Sequence, residues 1–285
     1  MIRDLKQKFE SDGYVVLQDF LTEDEVNLLK AELDTLLKDM PEQENRTVFS
    51  TVNKEQAKSK YFLDSADKIS YFFEADALGP NGELLIPKEK SLNKVGHALH
   101  ELNKNFRKIT FDERVKESCF QLDFQEPVVV QSMIIFKNPG VGSEVVMHQD
   151  ASYLYAEPLK LVGFWIALED ATVENGCLWI AQGSHRSGVH RRLTRNPDKN
   201  SNEFLIYDKP APIYSTSSFK PVPVTKGTCI LIHGQVVHYS PANKSADSRH
   251  AYTFHVLEEK DTKYSKDNWL QLPEGKSFLN VYKTF

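Results

Sequence analysis

Cysteine is scarce in this chain: three in 285 residues, Cys119, Cys177 and Cys229, with no C-x-x-C pair among them. So sparse and odd a set makes no disulfide framework, which excludes the small stapled scaffolds and points to a reducing compartment. None has an activating neighbour in sequence, so each reads as a small buried hydrophobe. An excess of basic charge is lacking too, since 35 lysines and arginines face 40 aspartates and glutamates. Nucleic acid and anionic membranes demand a concentrated basic surface, and neither is an expected partner. No apolar run approaches the length needed to cross a bilayer. The start, MIRDLKQKFESDGYVV, has no apolar signal core, and the end, NVYKTF, carries no S-K-L-type peroxisomal address. Cytoplasmic placement is the expectation. No internal repeat, low-complexity tract or sign of a protein partner is evident.

What is present is an ordinary globular composition, 40% hydrophobic and 26% charged, on a chain long enough for a substantial core. Residues 1–125 read as a helical N-terminal region with an insertion. Tyr14–Leu17 is a short strand candidate after Gly13. Thr22-Glu23-Asp24-Glu25 fits a capping box, followed by Val26, Leu29, Leu33, Leu36 and Leu37 at helical spacing. The polar stretch 41–105, broken at Pro41, Gly79-Pro80-Asn81-Gly82 and Pro87, reads as loops and short elements. Residues 106–122 suit one amphipathic helix with Phe106, Ile109, Val115 and Phe120 near one face. After Pro127 come short strand-like runs at 128–136, 144–150, 160–168, 177–181, 228–233 and 250–258, separated by turn residues. That texture, over 126–260, predicts an antiparallel barrel or a double-sheet jelly roll, with 261–285 as an extension. The fold class is mainly β with flanking helices, in one domain.

The stretch VVMHQDASY (145–153) places His148 and Asp150 one residue apart at the end of an apolar run. Residues two apart on a strand share a face, so both side chains can meet one ion while Gln149 points away. An H-x-D is weak on its own, and a hydrogen-bonded His–Asp pair would serve a strand end equally well. A third ligand is offered by His233 or His238. Two imidazoles and one carboxylate form the facial donor set of non-haem Fe(II) oxygenases, although zinc tolerates similar ligands. Arg249, eleven residues beyond His238, separates the two. A guanidinium can clasp a distal carboxylate with two parallel hydrogen bonds. A keto-acid co-substrate needs such a clamp and a hydrolytic zinc site does not.

With H-Q-D, ENGCLWIAQGSH (174–185) and HYSPAN (238–243) followed by Arg249, the chain resembles the phytanoyl-CoA dioxygenase family over nearly its whole length. The resemblance implies a double-stranded β-helix (jelly-roll, cupin-like) fold and an Fe(II)- and 2-oxoglutarate-dependent dioxygenase. Such an enzyme couples O₂ and decarboxylation of 2-oxoglutarate to succinate and CO₂ with hydroxylation of a small-molecule substrate. It also implies iron ligation by His148, Asp150 and His238, favouring His238 over His233, and a hold on 2-oxoglutarate by Arg249. Lys94, Met133, Trp165 and Ser240 are implied to line the co-substrate pocket. Lys94 and Ser240 would hydrogen-bond the acid, and Met133 and Trp165 would pack against its carbon chain. An intact Asp150, where related halogenases carry a small residue, favours hydroxylation. One departure is Gln182 before Gly183-Ser184-His185, where the family commonly has proline.

Two readings from other classes stand beside this one. One is a zinc-dependent hydrolase, the other a binding or regulatory protein that keeps the metal cavity without turnover. On pattern alone Trp165 is core, Met133 a gap-filler and Arg249 a surface ion-pair partner. His97, His100 and His255 read as structural, and His233 as structural or as a support for the ligands. The run HRSGVHRRLTR (185–195), with its four arginines and two histidines, reads as a solvated face, with contact to an anionic substrate as the sharper alternative.

Overall fold

Gly13 turns left-handed (φ 82°) at the end of helix α1 (Leu5–Asp12) and releases the chain into strand β1 (Tyr14–Leu17), a turn that only glycine makes without strain. The structure, a computed structural model, describes residues 4–50 and 55–284, so the readings made on the chain's two ends lie partly outside it. Thr22 caps helix α2 (Glu23–Lys38): its hydroxyl accepts from Glu25 N at 3.3 Å and Glu25 Oε2 accepts from Thr22 N at 2.9 Å. Arg114 grips the same Glu25 through both guanidinium ends, at 2.9 and 2.6 Å, and this hydrogen-bonded pair holds the carboxyl down at about 2. Thr22→Ala should cost about 1 kcal/mol in a denaturant titration. A loss near zero would mean that the cap contributes nothing.

The helix expected over 106–122 is two helices, α3 (Lys104–Thr110) and α4 (Glu113–Gln121). Asp112 accepts from Arg114 N at 2.9 Å and starts the second one. The break turns Phe120 outward, 70% exposed, and buries Cys119.

The stretch 41–105 is more than loops. Strands β2 (Ile69–Phe73) and β3 (Leu92–His97) belong to the main sheet. The further strands of the two larger sheets are β4 (Pro127–Ile135), β5 (Val145–His148), β6 (Leu161–Ala167), β7 (Leu178–Ile180), β8 (Lys220–Val222), β9 (Cys229–His233), β10 (His238–Ser240) and β11 (Ala251–Glu258). A nine-stranded sheet runs β1–β9–β6–β11–β4–β3–β2, extended by Thr47–Val48 and with Leu279–Asn280 also pairing β4. A four-stranded sheet runs β8–β7–β10–β5. Among the described residues, the strands of these two sheets pair antiparallel except for Thr47–Val48 with β2. Two antiparallel sheets with a cavity between them are the jelly roll that the strand spacing predicts.

Alternation divides the large sheet's side chains. Val129, Ile134, Phe164, Ile166, Leu231, Tyr252 and Phe254 pack with Leu29, Leu33, Phe106 and Val115 of the helices in one buried cluster. Met133, Trp165, Thr253 and His255 point the other way and line the cavity, which also takes Val145, His148, Leu178 and His238 from the small sheet. Both faces of the large sheet are therefore covered, which makes its strands read as almost unbroken apolar runs.

Candidate metal and keto-acid site

Strands β5 and β10 pair with His148 opposite His238, so two imidazoles stand side by side with ring centroids 4.3 Å apart. Their tautomers are set by the backbone. His148 Nδ1 lies 2.8 Å from the carbonyl oxygen of Val146, and His238 Nδ1 lies 3.1 Å from that of Val236. A carbonyl only accepts, so each Nδ1 carries a proton, and in the neutral ring Nε2 presents the lone pair. Burial pushes His238 down to about 4, leaving it neutral at pH 7.

β5 ends at His148, and Asp150 opens a 3₁₀ turn (Asp150–Ser152) instead of continuing the expected strand. Gln149 still points away. Its amide donates to the carbonyls of Gly188 and Gln235 at 2.8 and 2.6 Å and accepts from His190 N at 2.8 Å. Held by that anchor, Asp150 Oδ1 faces His148 Nε2 at 3.6 Å and His238 Nε2 at 3.8 Å. The three ligand atoms lie within 4.8 Å of one another. Burial alone would raise the Asp150 carboxyl, but the imidazoles of His255 and His238 hold it well below its ordinary value. A buried carboxylate facing two imidazole lone pairs is a donor set that fits a divalent cation.

Arg249, placed just ahead of β11, is almost fully buried, contrary to a surface ion-pair role. Its Nη2 donates to Ser240 Oγ at 3.2 Å, while Nε and Nη1 have no partner. Burial lowers it to about 10, so it keeps its charge at neutral pH. Two unmet N–H groups on a buried cation are costly unless an anion meets them. Trp165 stacks beneath, with the guanidinium carbon 5.2 Å from its ring centre. Ser240 spends its own proton on the carbonyl of Gly176 at 3.0 Å. The hydroxyl therefore steadies Arg249 and has no proton left for an acid.

Met133 and Lys94 reach the same cavity from β4 and β3. The Lys94 ammonium lies 3.4 Å over the Phe49 ring, and burial lowers it to about 7. The structure thus brings together His148, Asp150, His238, Arg249, Lys94, Met133, Trp165 and Ser240 around one cavity of about 160 Å³. His233 is elsewhere, packed at a tilt against His185 and Phe9. His97 and His100 are buried against Ser65 and Ser132. The loop carrying Gln182 keeps its turn without proline: Gly183 is left-handed (φ 80°), and Ser184 Oγ accepts from Val237 N at 2.8 Å, just before His238. The basic run 185–195 is largely tied down. Arg186 donates to the Ser11 carbonyl, Arg192 to Ser265 Oγ and Arg195 to the Trp269 carbonyl.

Sequence reasoning missed two features. His255, read as structural, touches Asp150 Oδ2 with its Nε2 at 3.2 Å. The signal was available, because Thr253 and His255 alternate onto the cavity face of their strand. Lys137, fully buried, donates to the carbonyls of Ser143 and Pro241 at 2.8 Å each and ties the loop after β4 to the one after β10. Nothing local in the sequence announces that clamp.

The family model described as phytanoyl-CoA dioxygenase (PhyH) matches residues 9–251. Phytanoyl-CoA dioxygenase domain-containing protein 1 of Bos taurus is 48% identical over 284 residues, 97% of each chain. The protein of the same name from Danio rerio is 45% identical over 284 residues, again 97% of each. Among solved structures, the non-haem α-ketoglutarate-dependent carbocyclase SnoK from nogalamycin biosynthesis superposes with a TM-score of 0.64 at 20% identity. That match covers 99% of this chain and 96% of SnoK, a likeness of fold.

Proposed function

Because the chain belongs to the phytanoyl-CoA dioxygenase family, we propose that it is an Fe(II)- and 2-oxoglutarate-dependent dioxygenase acting on a small-molecule substrate. His148, Asp150 and His238 hold the iron, and Arg249 seats the far carboxylate of 2-oxoglutarate. The observation that carries this reading is the convergent donor set beside a buried guanidinium with two N–H groups unmet. His148, Asp150 and His238 would hold the iron through two imidazole nitrogens and one carboxylate oxygen, a donor set that would keep room for a chelating co-substrate and O₂. Zinc-assisted hydrolysis does not in itself call for the guanidinium. When bound, the iron supplies oxidative chemistry, coupling O₂ and 2-oxoglutarate to succinate, CO₂ and a hydroxylated product.

The chain's own residues bind, orient and exclude water. Arg249, steadied by Ser240 and stacked on Trp165, pairs with the distal carboxylate. Met133 and Trp165 pack against the carbon chain, and Lys94 in its protonated form adds a second positive group. Phe49, Phe62, Leu193 and Trp269 supply an apolar wall for the substrate. Cavity residues from Phe49 to Trp269 support treating 1–285 as one catalytic domain. Among the described residues no helix is long and apolar enough to cross a membrane. The three cysteines are buried and unpaired, which supports a reducing, cytoplasmic setting.

The test is succinate formation from 2-oxoglutarate by the purified protein, with iron and O₂ each withheld in turn. Dependence on both is expected. Turnover of an ester or amide with zinc in the absence of O₂ would instead support a hydrolase. Lys94 adds a pH signature. The free-site amine loses its proton as pH rises through about 7, whereas a bound carboxylate keeps it charged. Affinity for 2-oxoglutarate should therefore fall by about tenfold per pH unit above that point. Lys94→Met should bind more weakly and with a flat profile over the same range, measured by anaerobic calorimetry. An unchanged slope in that variant would remove Lys94 from the acid's partners.

A further inference from the structure

One rung of the large sheet carries Gln131, His255 and Gly163 side by side, on β4, β11 and β6. Gln131 and His255 are both buried. Asp150 comes down over this rung from the other wall of the cavity. His255 Nε2 lies 3.2 Å from Asp150 Oδ2, and His255 Nδ1 lies 3.2 Å from Gln131 Nε2. A carboxylate only accepts and an amide nitrogen only donates, so the ring proton sits on Nε2, the nitrogen beside Asp150 Oδ2, and Nδ1 accepts. This tautomer is the opposite of that in His148 and His238.

Gly163 makes room for the arrangement. A Cβ at that position would stand 3.1 Å from Asp150 Oδ2 and 3.4 Å from the His255 ring. The two carboxylate oxygens thus have different neighbours: Oδ2 lies against His255 Nε2, and Oδ1 faces both ligand imidazoles.

We propose that His255, itself oriented by Gln131 and accommodated by Gly163, is a positioning residue that makes Asp150 a one-oxygen metal ligand. By occupying Oδ2 it prevents the carboxylate from turning to bind through both oxygens, which would take a coordination position that the keto-acid needs. Such supporting hydrogen bonds orient ligands and tune metal affinity. The inference rests on the metal site proposed above.

The test is anaerobic Fe(II) titration of the full chain, with Co(II) visible spectra as a report on coordination geometry and thermal melts as a folding control. His255→Ala should weaken Fe(II) binding by about 10- to 100-fold and alter the Co(II) spectrum. His255→Gln, which restores an N–H donor, should recover most of the affinity. Gly163→Ala should weaken binding while leaving His255 chemically intact, so the proposal survives if His255→Ala fails to fold. A wild-type protein that binds neither ion would overturn the metal site itself. Wild-type binding with unchanged affinity and spectrum in the His255 and Gly163 variants would overturn the positioning role alone. Loss in His255→Ala without recovery in His255→Gln would also overturn it, reducing His255 to packing.

Discussion

Asp150→Ala is expected to lose stoichiometric iron and to lower 2-oxoglutarate-dependent succinate formation by more than about 100-fold, beyond the range seen when only a supporting hydrogen bond is removed. The reason is charge as much as geometry. Asp150 is the one anion in the donor set, and without it a divalent cation would enter a buried site holding only imidazoles. His148→Ala and His238→Ala should behave alike, since each removes one converging Nε2. His233→Ala should keep its iron, because that ring packs on His185 and Phe9 away from the ligands. Metal content after anaerobic reconstitution separates these outcomes. Full occupancy in Asp150→Ala would contradict the assignment.

Arg249→Met carries effects of opposite sign on stability and on binding. The guanidinium is buried with two N–H groups unmet, so the ligand-free protein bears a desolvation cost for it. A methionine of similar length removes that cost, and the apo protein should melt no lower than wild type, with a gain of ~1 kcal/mol. The affinity for 2-oxoglutarate should fall by roughly 30-fold or more, the scale of losing one partner of a buried charge pair. Added 2-oxoglutarate should raise the melting temperature of iron-loaded wild type and barely move the variant. A variant that melts far lower, with normal co-substrate affinity, would make Arg249 a structural group and leave the carboxylate without its clamp.

The convergence of His148 and Asp150 was legible because local chemistry agreed with strand periodicity as far as His148. His148 and Asp150 flank a residue that points away, and Gln149 does point away. The capping box at Thr22 was legible for the same reason, since all of its parts lie within four residues. Strand β3 was hidden by its own function. Lys94 and His97 look toward the cavity, so Leu92–His97 lacks the apolar alternation that marks a strand. Strand β2 was hidden differently: four of the five residues of Ile69–Phe73 are buried, and its apolar run sits in an otherwise polar stretch. His255 and Gln131 were out of reach as a unit. They lie 124 residues apart in the chain and meet only because β11 pairs with β4.

The most direct measurement is an anaerobic titration of the Fe(II)-loaded protein with 2-oxoglutarate, followed by visible absorption. A keto-acid chelating iron held by His148, Asp150 and His238 produces a charge-transfer band that neither component has alone. The band should saturate at one equivalent in wild type, require much more 2-oxoglutarate in Arg249→Met, and be missing in Asp150→Ala. No band in wild type, with 2-oxoglutarate binding still detected by calorimetry, would contradict the account.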